Sequence, residues 1–264
     1  MSDRGQMPLQ KSDRLGRLAA RSLDTLESLL QDGEVPLQER TAIGLKILEL
    51  AGESPPPSPQ KDSQFLPGRF VRIENFLSPA ENRQILELAI ANRTQFLAST
   101  TTGDVANYRE SSILYATHFP DYYQFFKDRI LHILPTVLSK LDHPPFPVAQ
   151  VQMQLTAHHD GGYYKIHNDA SSTKTKTRTI TYVYYFHRYP KIFSGGELQL
   201  YDTEWRNGSA SAGEGSTMIE PRNNSIVFFN SRCQHQVLPI CCSSGQFEDG
   251  RFTLNGWLRR TINN

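Results

Sequence analysis

Apolar residues near the start of the chain recur at helical intervals. Leu15, Leu18, Ala19, Leu23, Leu26, Leu29 and Leu30 mark one face, and Asp32-Gly33 stops the run. Pro36 suits the first turn of a second helix carrying Ile43, Leu45, Ile47, Leu48 and Leu50, which Gly52 ends. Residues 1–52 are therefore expected to form an α-helical hairpin. Packing on the main domain or on another subunit accounts for such a hairpin. The helices would then serve dimerisation; a dedicated binding module for a carrier or peptide, recruiting substrate, is the sharper role, and nothing in the segment is catalytic. Glu53-Ser54-Pro55-Pro56-Pro57-Ser58-Pro59 opens a proline-rich linker over 53–67, since proline at this density favours an extended spacer.

The remaining residues, 68–262, read as one domain. Arg69-Phe70-Val71-Arg72-Ile73 alternates as a strand. Ser78-Pro79-Ala80-Glu81 has the pattern of a capping box ahead of a helix with Ile85, Leu86, Leu88, Ala89 and Ile90. Residues 93–112 are polar and irregular, which predicts a mobile loop. A second helix carries Tyr122, Tyr123, Phe125, Phe126, Ile130, Leu131, Ile133 and Leu134, aromatics suited to a core. From residue 148 the period changes to two. Strands are predicted at 148–156, 163–167, 179–186, 197–201, 225–229, 235–240 and 251–258, separated by glycine and Asn/Ser clusters. Residues 206–217 are of low complexity and read as a flexible surface loop. Many short strands after two helices predict a mostly-β fold: a double-stranded β-helix, or jelly roll, with supporting helices on one sheet.

Composition narrows the function classes. The 264 residues hold 28 basic and 27 acidic side chains, a net charge of +1, so no broad electrostatic footprint for nucleic acid is expected. Three cysteines, two of them adjacent (Cys241, Cys242), make no disulfide framework and fit a reduced, cytoplasmic compartment. No apolar leader or membrane-spanning run is visible.

Candidate chemistry centres on His167-Asn168-Asp169. Side chains two apart on an extended segment point to one side, so an imidazole and a carboxylate converge. A second histidine would complete a two-His, one-carboxylate face of the non-haem iron type. About one H-x-[DE] match arises by chance at this composition, so context must decide. The rival match, His158-His159-Asp160, runs into Gly161-Gly162 and reads as a turn, whereas His167 and Asp169 sit at a strand end beside a polar loop. His187 and His235 are the downstream histidines. His187 falls in a loop after an aromatic strand; His235 opens a strand and is the better third ligand. On the last strand Arg251, Thr253, Asn255 and Trp257 alternate against Phe252, Leu254 and Leu258. The first set places a guanidinium beside a hydroxyl, fit to clasp a carboxylate. A solvated face would explain Arg251 and Asn255 but not Trp257.

Taken in order, these motifs resemble the Fe(II)- and 2-oxoglutarate-dependent oxygenases of the prolyl 4-hydroxylase-like branch. The resemblance covers residues 69–260. It rests on Tyr164-Lys165-x-His167-x-Asp169, Arg178-Thr179-Ile180-Thr181 with Tyr184-Tyr185, Gly195-Gly196-Glu197-Leu198, Pro221 to Phe229, His235-x-Val237 and Arg251-Phe252-Thr253-Leu254. It implies that His167, Asp169 and His235 hold Fe(II), and that Arg251 pairs with the distal carboxylate of 2-oxoglutarate, helped by Tyr185 and Thr253. Tyr164, Arg178 and Trp257 match positions lining the substrate side. Residues 241–250 look like an insertion, and His158 stands near a place where many relatives have tyrosine, as a polar pocket residue. The implied reaction couples decarboxylation of 2-oxoglutarate, to succinate and CO2, with hydroxylation of an aliphatic C–H. Its substrate is a prolyl or other amino-acid residue, free, in a peptide or on a carrier, and ascorbate is the implied reductant. Asp169 weighs against a halogenase, which needs a small residue there. The neutral charge weighs against a nucleic-acid dealkylase. A non-enzymatic binding or scaffold domain has no use for an interior Arg251.

Overall fold

The computed structural model describes residues 25–26, 28–30, 35–50, 64–99 and 107–261. The chain divides into two compact units, Met1–Asp62 and Ser63–Asn264. In the first unit, α1 (Leu37–Leu50) follows Pro36 as its spacing predicts. Residues 25–26 and 28–30 are also helical; the rest of the expected first helix and most of the linker lie outside the described residues. No helix among the described residues is long and apolar enough to cross a membrane.

The second unit is built of antiparallel sheets. One has seven strands, in spatial order β2 (Phe70–Glu74), β12 (Ser225–Asn230), β8 (Arg178–Phe186), β15 (Arg251–Arg260), β6 (Val148–His158), β5 (Ser112–Tyr115) and β3 (Leu97–Ala98). The other has six: β1 (Gln64–Leu66), β10 (Leu198–Arg206), β13 (His235–Val237), β7 (Tyr163–His167) and β4 (Arg109–Glu110), with β11 (Ser209–Ile219) also on β10. β9 (Ser194–Gly195) and β14 (Ile240–Cys241) form a short separate ladder.

Period-two alternation decides what each face of the seven-stranded sheet does. Tyr182, Tyr184, Phe186, Phe252, Leu254 and Leu258 face α2 (Pro79–Ala91) and α3 (Pro120–Lys140), where Ile85, Ala89, Phe126 and Ile130 are fully buried in the same core. Burial of each large apolar side chain stabilises by roughly 1.5–3 kcal/mol. The predicted capping box starts α2: the Ser78 hydroxyl accepts from Glu81 N–H, and the Glu81 carboxylate accepts from Ser78 N–H. On the other face, direct cross-strand partners group the polar residues. Arg251 lies opposite His158, and Thr253 lies opposite both Thr156 and Tyr185.

Three expectations change. Residues 206–217 are not a loop but the turn and second strand of the β10–β11 hairpin, with Arg206 paired to Ser209. Their Gly/Ser/Ala composition hides the alternation, because neither face presents large apolar side chains. The irregular stretch at 93–112 contains β3, β4 and the start of β5, strands of two to four residues, too short to show a period. β1 takes the last part of the expected linker into a sheet, pairing Gln64–Leu66 with β10.

Candidate active site

β7 and β13 bring the first two site residues together. His167 closes β7, His235 opens β13, and the two are direct partners in the ladder. Their rings lie 4.2 Å apart, and the ligand atoms of His167, Asp169 and His235 fall within 4.8 Å of one another. His167 Nδ1 hydrogen-bonds to the carbonyl of Lys165 at 2.8 Å, and His235 Nδ1 to that of Cys233 at 3.0 Å. Each Nδ1 therefore donates, which leaves the lone pair on Nε2. The two Nε2 atoms face the Asp169 carboxylate at 3.8 Å and 3.5 Å. Asp169 Oδ2 in turn accepts a hydrogen bond from the Thr181 hydroxyl at 2.8 Å, which fixes its rotamer.

The electrostatics suit a cation. Burial, with His235 beside it, pushes His167 down to about 3, so its imidazole is neutral. Burial by itself raises Asp169, but His235 and His167 outweigh it and the carboxyl lies below its ordinary value. Two imidazoles whose Nε2 lone pairs face an ionised carboxylate, mutually oriented and nearly buried, are the donor set of the two-His, one-carboxylate iron sites.

The seven-stranded sheet, with Arg109, Tyr164, Leu198 and Val237 of the six-stranded one, completes a cavity of ~240 Å³. Arg251 is 2% exposed, and its guanidinium lies 5.0 Å from the centre of the Tyr185 ring. It donates to His158 Nδ1 at 3.3 Å; burial, then the Arg251 charge, hold that imidazole neutral. Arg251 Nε, Tyr185 Oη and His158 Nε2 are all buried without a hydrogen-bond partner. Burying such groups unpaired costs free energy, so a cluster of three fits an anionic ligand. Thr253 lines the same end, and this set suits the distal carboxylate of 2-oxoglutarate.

Gly196 keeps Arg251 in place. Its φ is +72°, and a Cβ there would lie 2.6 Å from Arg251 Cδ and 2.8 Å from Ile240 Cγ1. Gly196→Ala is therefore expected to push the guanidinium aside and weaken 2-oxoglutarate binding by about tenfold or more. Equilibrium titration checks this; unchanged affinity would show that Arg251 tolerates displacement.

All three residues assigned to the substrate side line the cavity. Tyr164 stacks on His167, with ring centres 3.5 Å apart, and Arg178 lies 3.5 Å over the Trp257 ring. His187 falls outside: it follows β8, edge-on to Phe193. The rival pair separates, for Asp160 sits in a turn accepting from Cys242 N–H while His158 joins the cavity. Sequence reasoning missed Arg109 and the role of Thr181. Thr181 carried a signal, being two and four residues from Val183 and Tyr185 on one face of β8. Arg109 carried none, because β4 has two residues.

Comparison with known proteins agrees with this geometry. The family model of the 2OG-Fe(II) oxygenase superfamily matches residues 153–259, from β6 to β15, a span that includes His167, Asp169 and His235. A PKHD-type hydroxylase of Synechocystis is 41% identical over an alignment of 290 positions, covering 97% of this chain and 96% of that protein. The chain belongs to the 2OG-Fe(II) oxygenase superfamily. It is an Fe(II)- and 2-oxoglutarate-dependent hydroxylase by that membership. Among solved structures, a prolyl-4-hydroxylase of Pseudomonas putida superposes with a TM-score of 0.52 at 19% identity, covering 72% of this chain and 92% of that one. A prolyl hydroxylase of Trichoplax adhaerens, in complex with a hypoxia-inducible-factor peptide, gives 0.54 at 17% identity, covering 72% and 83%. These oxygenases share the fold.

Proposed function

We propose that this superfamily member hydroxylates an aliphatic C–H of a prolyl or other amino-acid residue, free, in a peptide or carrier-bound. The carrying observation is one cavity that holds both a two-His, one-carboxylate set and a buried arginine with unpaired hydrogen-bonding neighbours. The names of the Pseudomonas and Trichoplax proteins support the prolyl part of the reading.

Fe(II), when bound, couples oxidative decarboxylation of 2-oxoglutarate to oxygen transfer into a C–H bond. His167, Asp169 and His235 would hold it, and the cavity beside them would take the co-substrate. Arg251 anchors the distal carboxylate; Tyr185 and Thr253 supply hydroxyl donors. His158 buttresses the guanidinium as a neutral acceptor. Tyr164, Arg178 and Trp257 wall the cavity beside the metal ligands, where they orient substrate and exclude water. Asp169 keeps the carboxylate that a halogenase gives up for chloride, which favours hydroxylation.

The test is a screen for substrate-stimulated succinate release, first with free amino acids and then with proline-containing peptides. At least one of them is expected to raise succinate release well above the substrate-free rate, with a product 16 mass units heavier, one oxygen atom. Stimulation by alkylated oligonucleotides alone would overturn the reading.

A further inference from the structure

We propose that Arg109, together with Arg178, forms a carboxylate-binding subsite beside the metal ligands, so that the substrate carries a carboxylate near the carbon it presents for hydroxylation. The inference rests on the hydroxylase reading above and narrows its substrate class.

The cavity wall holds three arginines, Arg109, Arg178 and Arg251, but one acidic residue, Asp169. A dipositive metal and Arg251 together balance Asp169 and the dianion of 2-oxoglutarate. The charges of Arg109 and Arg178 remain over. Neither forms an ion pair with a carboxylate among the described residues. Burial lowers the pKa of both guanidiniums; Asp169 is the one carboxylate that acts on either, beside the Tyr164 and Tyr115 hydroxyls at Arg109 and, at Arg178, the like charge of Arg259 and the Tyr164 hydroxyl. Desolvated cations left unmatched are costly, and an anion relieves that cost.

Both guanidiniums are pre-positioned. Arg109 Nε donates to Ser111 Oγ at 2.7 Å, and the guanidinium lies 4.8 Å from the Tyr164 ring, itself stacked on His167. Arg178 Nε donates to Gln152 Oε1 at 2.9 Å, and the guanidinium carbon lies 3.5 Å from the centre of the Trp257 ring. One terminal nitrogen of Arg178 reaches the Asp169 carbonyl at 3.4 Å. In each case the Nε is committed inside the protein, and an aromatic ring packs beside the guanidinium. The terminal N–H groups that remain suit the two oxygens of a carboxylate. The peptide amides around an internal residue are neutral and would leave both charges unbalanced.

The carboxylate has two sources: the α-carboxylate of a free amino acid, or an acidic side chain next to the hydroxylated residue of a peptide. Calorimetric titration separates them. Protein loaded with Zn(II), which is redox-inert, and saturated with 2-oxoglutarate receives matched pairs. L-proline, L-leucine and L-lysine are each compared with their amides, and acetyl-Pro-Glu-amide with acetyl-Pro-Gln-amide. In at least one pair the carboxylate is expected to bind tenfold or more tightly than its amide partner. The first set winning points to a free amino acid, the last to an acidic peptide. In Arg109→Gln the preference is expected to fall below threefold; Arg109→Lys, which keeps the charge, retains part of it and controls for folding. Equal binding of carboxylates and amides, or no binding by any carboxylate, overturns the subsite. So does Arg109→Gln weakening 2-oxoglutarate itself tenfold while the pair preference stays. The succinate-release screen reads the hydroxylase assignment independently, so the two can fail separately.

Discussion

Arg251→Met abolishes saturable 2-oxoglutarate binding at millimolar concentrations while the protein stays folded. On β15, Arg251 occupies the polar face that lines the cavity and is 2% exposed. Its environment is arranged for one task. Tyr185 lies under the guanidinium, His158 accepts one of its N–H groups, and its Nε has no partner. A charge-assisted pair in such surroundings is worth about 2–5 kcal/mol when one partner is removed, or from about thirtyfold to several thousandfold in affinity. Methionine fills much of the same volume, so the packing against Gly196 and Ile240 survives. The measurement is equilibrium binding of 2-oxoglutarate together with a thermal melt. Arg251→Lys should recover only part of the affinity, because an ammonium lacks the planar fork. Full affinity in Arg251→Met would mean that the co-substrate is anchored elsewhere, with Arg109 or Arg178 the remaining cations of the cavity.

The second large effect belongs to Asp169. Its carboxylate faces both imidazoles and is held by Thr181. Asp169→Ala removes the anionic member of the donor set and leaves two imidazoles for a divalent ion. Loss of a residue that only supports a ligand costs 10–100-fold in metal affinity, so loss of the ligand itself should exceed about 100-fold. Succinate release should fall to the metal-free background. The metal-free variant should stay folded but melt somewhat lower, because the folded state holds the carboxyl below its ordinary value and Thr181 loses its acceptor. Lost turnover in a protein that still melts cooperatively therefore assigns the loss to chemistry. Retained Fe(II) affinity would remove Asp169 from the metal site.

Much of this was legible in the chain because long strands alternate. On β15 and β8 the period of two separates core from cavity, so Arg251, Thr253 and Trp257 stand out against Phe252, Leu254 and Leu258, and Tyr185 against Tyr184. The same alternation put His167 and Asp169 on one side. Spacing could not show that Arg251 meets His158, since the two are 93 positions apart and become neighbours only through the β15–β6 register. The ordinary composition of β4 concealed Arg109, and the small residues of β11 concealed a whole strand. Short strands and small side chains carry no period, so only pairing with a neighbour reveals them.

The central claim is that His167, Asp169 and His235 hold the iron at which 2-oxoglutarate is consumed. Purified wild-type protein and His167→Ala, each given Fe(II), 2-oxoglutarate and O2, should be compared for succinate formed per mole of protein. Wild type is expected to make succinate in many turnovers and His167→Ala none above background. Equal turnover by the two proteins would contradict the claim.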